Sequence, residues 1–278
     1  MDGPFGVAAL TSIREHPRFR DAVEQYARSR VEQFRRLDAA LRWATTDLGR
    51  STLSRATVVL HRRPEGLTAN ALLESARTLG LCSRGRVLAY LDGAQLRGLL
   101  SISAGDGYWT DRPVQVSPAL CGQVEDTARN LLAAVDLLEP EAPETANGEQ
   151  RLQGLLAAMA ALPTTDPAVL SVLPVGIRQF MEHDGALRIL DELIVRQRSE
   201  RARLLEAVRF SQLSLARASG VSRAQVKRLL ASAQPEGFVM VGDGELDFAP
   251  AFSDAAELRF ALIFRVAQLA ASLAASRG

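Results

Sequence analysis

Ser222-Arg-Ala-Gln-Val-Lys-Arg-Leu-Leu230 follows Leu213-Ser-Leu-Ala-Arg-Ala-Ser-Gly220 and precedes Glu236-Gly-Phe-Val-Met-Val-Gly-Asp-Gly-Glu-Leu-Asp-Phe248. The three segments read as helix, tight turn, helix and then β-hairpin. Ser222 is a strong N-cap, because its hydroxyl accepts from the open backbone N–H groups of the next turn. Val226, Leu229 and Leu230 share one face of the helix it opens, leaving Arg223, Lys227 and Arg228 on or beside the other. Gly220 lets the chain turn sharply between the helices. Gly242-Asp-Gly244 between two apolar runs is a hairpin-turn signal.

A related pattern occurs earlier. Ser83-Arg-Gly-Arg-Val-Leu-Ala-Tyr-Leu91 begins 139 residues before Ser222, half the length of the 278-residue chain. Ser-Arg-x-x-Val recurs at Ser83-Arg84…Val87 and Ser222-Arg223…Val226, Gly-Asp-Gly at 105–107 and 242–244, and Pro-Ala at Pro118-Ala119 and Pro250-Ala251. Several matches in one order, at nearly one separation, indicate a duplicated module.

The composition suits a folded chain. Hydrophobic residues make up 47% and charged residues 23%, enough for a sizeable core and against general disorder. The formal net charge of +1 excludes a nonspecific nucleic-acid coat, which would be strongly basic. The charge is unevenly spread: Arg196–Arg228 holds nine basic residues against Glu200 and Glu206. Lys227 is the only lysine in the chain, a bias that a GC-rich genome would also produce. Met1–Ile13 lacks the pattern of a signal peptide, and no uncharged apolar stretch reaches the length of a membrane span. Cys82 and Cys121 are not spaced as a metal pair, so a reduced, cytoplasmic setting is the simplest expectation.

Along the chain, Pro17 opens a long amphipathic helix with apolar positions from Phe19 to Leu41. Residues 1–45 form this N-terminal helical segment, and 46–138 the first module: helices over Asp47–Arg62, Thr68–Leu79 and Ser83–Arg97, wing strands Leu99–Ser103 and Tyr108–Val116, and a helix from Pro118. Residues 139–150 are an acidic, proline-containing linker. Residues 151–184 are a helical connector with a turn at Pro163–Pro167. Residues 185–278 are the second module, with Gly185–Phe210 largely helical and a closing helix over Ser253–Ser276. The expected fold is mainly α with small β-hairpin wings.

This order of elements resembles a winged helix-turn-helix, in which the helix opened by Ser222 would lie in a DNA major groove. Asp111-Arg112, followed by Val114-x-Val116-Ser-Pro118, is similar to the wing signature of MarR-type bacterial regulators. The resemblance covers the two module cores, about half the chain. It implies that Arg112 enters the minor groove or grips its phosphates, since narrow grooves attract arginine. Two features depart from the family. MarR-type chains carry one module and dimerise, whereas this one carries two. The second wing, Gly242–Asp247, is acidic and has no arginine.

The candidate DNA-contacting residues are Ser83, Arg84, Arg86, Tyr90 and Arg112 in the first module, and Ser222, Arg223, Gln225, Lys227 and Arg228 in the second. Arginine reads guanine bidentately and glutamine reads adenine, while helix N-termini favour phosphate. Cys82 precedes the first such helix beside Arg84 and Arg86. Those cations would lower its thiol pKa, but a buried structural cysteine is the plainer reading for it and for Cys121. Trp109 reads as a core anchor under the first wing. Asp191-Glu192 reads as helix surface rather than an acid–base pair. His16, His61 and His183 fall in no metal or nucleophile motif, and there is no P-loop, G-x-S-x-G or H-E-x-x-H. Neither catalysis nor a cofactor is therefore expected.

These readings combine into a sequence-specific double-stranded DNA-binding transcriptional regulator. Its two modules would stand in a pseudo-two-fold arrangement joined through long helices, and homodimerisation would extend the site. The alternative is a protein-interaction adaptor or anti-activator that kept the scaffold.

Overall fold

The computed structural model describes residues 5–78, 82–104, 106, 108–139, 148–161, 173–197, 202–234, 237, 239–242 and 244–275. The chain begins with helices α1 (Val7–Arg14), α2 (Phe19–Arg36), α3 (Ala39–Ala44), α4 (Leu48–His61), α5 (Ala69–Thr78) and α6 (Arg84–Leu96). Strands β1 (Leu100–Ile102) and β2 (Val114–Val116) follow, with a 3-10 turn at Trp109–Asp111 between them. Next come α7 (Pro118–Val135), α8 (Gly148–Ala161), α9 (Val175–Glu182) and α10 (Ala186–Val195). The last segment holds β3 (Val208–Arg209), α11 (Gln212–Ser219), α12 (Arg223–Ala233), β4 (Val239–Val241), β5 (Glu245–Phe248) and α13 (Pro250–Ala275). The architecture is mainly helical with two small antiparallel sheets.

The described residues fall into two compact units, each drawn from separate parts of the chain. One takes residues within 37–129, 143–170 and 266–278, the other residues within 1–36, 130–142 and 171–265.

In the first unit, Leu53, Leu67, Leu72, Val87, Tyr90, Leu120, Leu155 and Leu156 are buried, and α8 packs on α4. Strands β1 and β2 pair antiparallel with Leu100 opposite Val116 and Ile102 opposite Val114. A single bridge joins Thr68 to Pro113, and the Val114 N–H donates to the Leu67 carbonyl at 2.8 Å. The segment leading into α5 thus lies beside the second hairpin strand.

The other unit repeats this order with a fuller sheet, β3-β5-β4. Strand β3, just before α11, pairs with the second hairpin strand β5, Val208 opposite Leu246. Rings cluster between α2 and α13: Phe19 meets Phe264 edge-on at 6.0 Å, and Tyr26 meets Phe260 at 6.5 Å. Gly220 ends α11 at φ 64°, a left-handed conformation that glycine tolerates, and a Cβ there would lie 2.7 Å from the Phe34 ring.

Three local expectations need correction. The helix from Pro17 stops at Arg36, because the Asp38 carboxylate caps a new helix by accepting from the Leu41 N–H at 2.8 Å. Gly185–Phe210 is not largely helical: α10 ends at Val195, and β3 lies at 208–209. Side chains supply the reason. The Glu206 carboxylate accepts from the Ala202 and Arg203 N–H groups, at 2.8 and 3.0 Å, and the Gln197 amide oxygen accepts from the Glu206 N–H. Asp191-Glu192 is not helix surface. Asp191 is 1% exposed and Arg30 Nε lies 2.9 Å from its Oδ2, while Glu192 faces Arg35 at 3.2 Å and Arg196 at 3.4 Å. The linker over 140–147, the turn at Pro163–Pro167, Leu79-Gly80, and Gly105 and Gly107 lie outside the described residues.

Burial pushes the Asp191 carboxyl above its ordinary value of 3.8, against the pull of Arg30 and Arg259. Burial also lowers the Arg259 guanidinium to about 10. A carboxyl with a raised folded pKa binds its proton more tightly in the native state. Its contribution to stability therefore falls as pH rises from the ordinary carboxylate value through the raised one. Denaturant unfolding of wild type and Asp191→Asn between pH 4 and pH 8 checks this: the wild-type-minus-variant difference should slope downward with pH over that window. Asp191→Ala, which strands the arginines, should cost about 3–5 kcal/mol.

Candidate nucleic-acid interface

Helix α12 begins where the sequence places it. The Ser222 hydroxyl accepts from the Gln225 N–H at 3.1 Å, and the Gln225 amide oxygen accepts from the Ser222 N–H at 2.8 Å. This reciprocal pair is a capping box. The spacing Ser222-x-x-Gln225 is its sequence signature. It occupies the Gln225 oxygen, so bidentate reading of adenine by Gln225 would first have to open the cap.

Val226, Leu229 and Leu230 are buried, and Arg223, Lys227 and Arg228 are exposed. The Arg223 Nε donates to the Gln212 amide oxygen at 3.3 Å, which ties it loosely to α11. Lys227 and Arg228, like Arg217 on α11, have no hydrogen-bond or ion-pair partner among the described residues. The result is a solvent-facing cationic strip with which no carboxylate pairs among the described residues.

Helix α6 is arranged differently. Ser83 caps it, accepting from the Arg86 N–H at 3.3 Å. Arg84 is exposed at the first turn. Arg86 is exposed, with 53% of its side chain open to solvent, but it is engaged: its Nη2 donates to Asp47 Oδ1 at 2.8 Å, and Asp47 in turn caps α4 by accepting from the Arg50 N–H. Gly49 makes room, since a Cβ there would lie 2.8 Å from the Arg86 Nε. Tyr90 cannot contact DNA as expected. It is 2% exposed, its hydroxyl donates to Ser54 Oγ at 3.1 Å, and Trp43 stacks on its ring at 5.9 Å. The outer face of α6 instead carries Asp92 and Leu96, both exposed. The partnership with Asp47 had no sequence signal, because the two residues are 39 positions apart.

The first wing also departs from expectation. Arg112 is half-buried just after the 3-10 turn and beside the Thr68–Pro113 bridge. Asp111 accepts from the Asn70 side-chain amide at 2.5 Å, anchoring the wing to α5. Tyr108 is 82% exposed and Trp109 42%, so Trp109 is not the buried anchor expected of it. Met240 on the second wing is 68% exposed.

Cys82 and Cys121 are half-buried and unpaired by disulfide. Burial raises the Cys82 thiol pKa, and Asp47 adds to the rise, against the opposing pull of Arg86. That weakens the case for a reactive thiol. Among the described residues no group of His, Cys, Asp and Glu could hold a metal ion, and no helix is long and apolar enough to cross a membrane. Comparison with family models, curated proteins and solved structures finds no match.

Ser222→Ala should lower stability by about 1 kcal/mol through loss of the cap, read by thermal unfolding. Cys82 alkylation by iodoacetamide, followed by peptide mass spectrometry, should accelerate only above the pH at which a free cysteine thiol ionises.

Proposed function

We propose that the chain is a sequence-specific double-stranded DNA-binding transcriptional regulator, acting in the cytoplasm and built on two MarR-like winged helix-turn-helix modules. The observation that carries the reading is the exposed, unneutralised cationic strip of α12. Such a strip meets the two demands of DNA, phosphate neutralisation and donors for base edges. The repeated order supports it: in each half a helix, a short strand or bridge, two helices, a hairpin and a helix follow one another. Arg223 and Arg84, at first helical turns, serve phosphate. Lys227 and Arg228 lie on the exposed face for base edges, and Arg112 acts through the wing. In this reading one chain serves two half-sites as an intramolecular counterpart of a two-fold dimer, and a homodimer extends the site.

A second reading, a protein-interaction adaptor, is favoured by the first module alone. There Arg86 is engaged by Asp47, and Asp92 and Leu96 occupy the outer face of α6.

Fluorescence anisotropy on a duplex selected from random sequence, against a scrambled duplex at two salt concentrations, separates these. Lys227→Ala and Arg228→Ala should each weaken the selected duplex by about 1–3 kcal/mol if they read bases. Arg223→Ala should weaken both duplexes and flatten the salt dependence. Unchanged binding by a folded Arg223/Lys227/Arg228 triple alanine variant would refute the DNA reading in favour of the adaptor. Protection of one half-site by a monomer in footprinting would overturn the two-module part.

A further inference from the structure

Between Arg228 and Arg259 the sequence contains no Lys, Arg or His, but six acidic residues: Glu236, Asp243, Glu245, Asp247, Asp254 and Glu257. The hairpin of β4 and β5 lies in this stretch. Glu245 is exposed and Asp247 half-exposed, and neither has an ion-pair partner among the described residues. Arg209 stands opposite Glu245 in the ladder, yet the two side chains form no ion pair. Beside these carboxylates, Met240 is paired with Asp247 across the strands and lies open to solvent, on a strand that forms one edge of the sheet. One module therefore carries two unneutralised surfaces of opposite sign: Arg217, Lys227 and Arg228 on the helices, and Glu245 and Asp247 beside an exposed methionine on the wing.

We propose that these two surfaces bind each other between two copies of the chain, the wing of one copy against α12 of the second and the reverse. A two-fold contact needs a self-complementary patch, and paired surfaces of opposite charge in a single module meet that requirement. Exposed Met240 supplies the apolar centre that a purely ionic contact lacks. The occupant is a second copy because the complementary cationic surface belongs to this same chain. The association is salt-sensitive, since its ion pairs form between exposed charges. Under the DNA-binding reading it has a regulatory consequence: this contact, unlike a homodimer that extends the site, hides α12, so operator DNA and self-association through the wing compete. The self-association stands without that reading, and only the competition rests on it.

Sedimentation velocity on the full chain tests the contact. Wild type should show a concentration-dependent dimer at about 50 mM salt that dissociates at about 500 mM. Glu245→Arg/Asp247→Arg should weaken it by roughly tenfold or more, and so should Lys227→Glu/Arg228→Glu, because each places like charges together. Mixing the two reversed variants should restore a dimer, since each then offers two surfaces that complement the other. A merely unfolded variant would not restore it. A wild type that is monomeric at low salt overturns the proposal, as does a dimer indifferent to either reversal, or a mixture that stays monomeric. DNA anisotropy on Glu245→Arg/Asp247→Arg separates the two readings. Retained duplex binding with lost dimer supports both, and absent duplex binding in wild type with the charge-dependent dimer intact removes only the regulatory reading. Added duplex should convert wild-type dimer to DNA-bound chains.

Discussion

Asp191 and Glu192 sit side by side on α10, buried against α2, with Arg30 2.9 Å from the first carboxylate and Arg35 3.2 Å from the second. Adjacent positions on a helix point in different directions, so the pair engages separate arginines along the same neighbouring helix. Arg196, one turn further on, bonds Glu192 and donates to the Ser214 hydroxyl on α11 at 3.4 Å. The chain of contacts runs from α2 to the helix that precedes α12. Burying these charges is costly, and removing one partner leaves the others stranded. The orientation of α11 and α12 within this unit therefore depends on a segment more than 150 residues earlier in the chain.

Around that network the apolar core supplies most of the cohesion. Phe19, Tyr26, Phe260 and Phe264 meet largely edge-on, the geometry aromatic quadrupoles favour. Arg259 lies among them with its guanidinium 4.9 Å from the Phe260 ring and its Nε bonded to the Met181 sulfur. In the other unit Trp43 plays a comparable part. It stacks on Tyr90 and lies under Arg50 and Arg97, at 4.9 and 4.4 Å, and a Cβ at Gly93 would run into its ring. Rings and guanidinium stems thus cover one side of α6 and leave the other to solvent.

The two halves share an order of elements but have diverged in surface chemistry. Among the described residues no carboxylate pairs with Lys227 or Arg228 of α12, whereas on α6 Arg86 donates to Asp47 and Tyr90 is buried. The wings have diverged in the opposite sense, the first anchored to α5 by Asp111 and Asn70, the second acidic.

Local signals were legible in the sequence. Ser83 and Ser222 announced two helix starts, Gly220 a left-handed turn, and Leu100–Ile102 with Val114–Val116 a hairpin, since each depends on residues a few positions apart. The internal repeat and the exposed cations of α12 were also readable, from spacing alone. Strand β3 was not, because two residues carry no periodicity and their partners on β5 are 38 and 36 positions distant. The burial of Asp191, Glu192 and Tyr90, and the capture of Arg86 by Asp47, were settled by the tertiary fold. Periodicity shows which residues share a face of a helix. Whether that face meets water or a distant segment depends on long-range packing, which a local pattern does not encode.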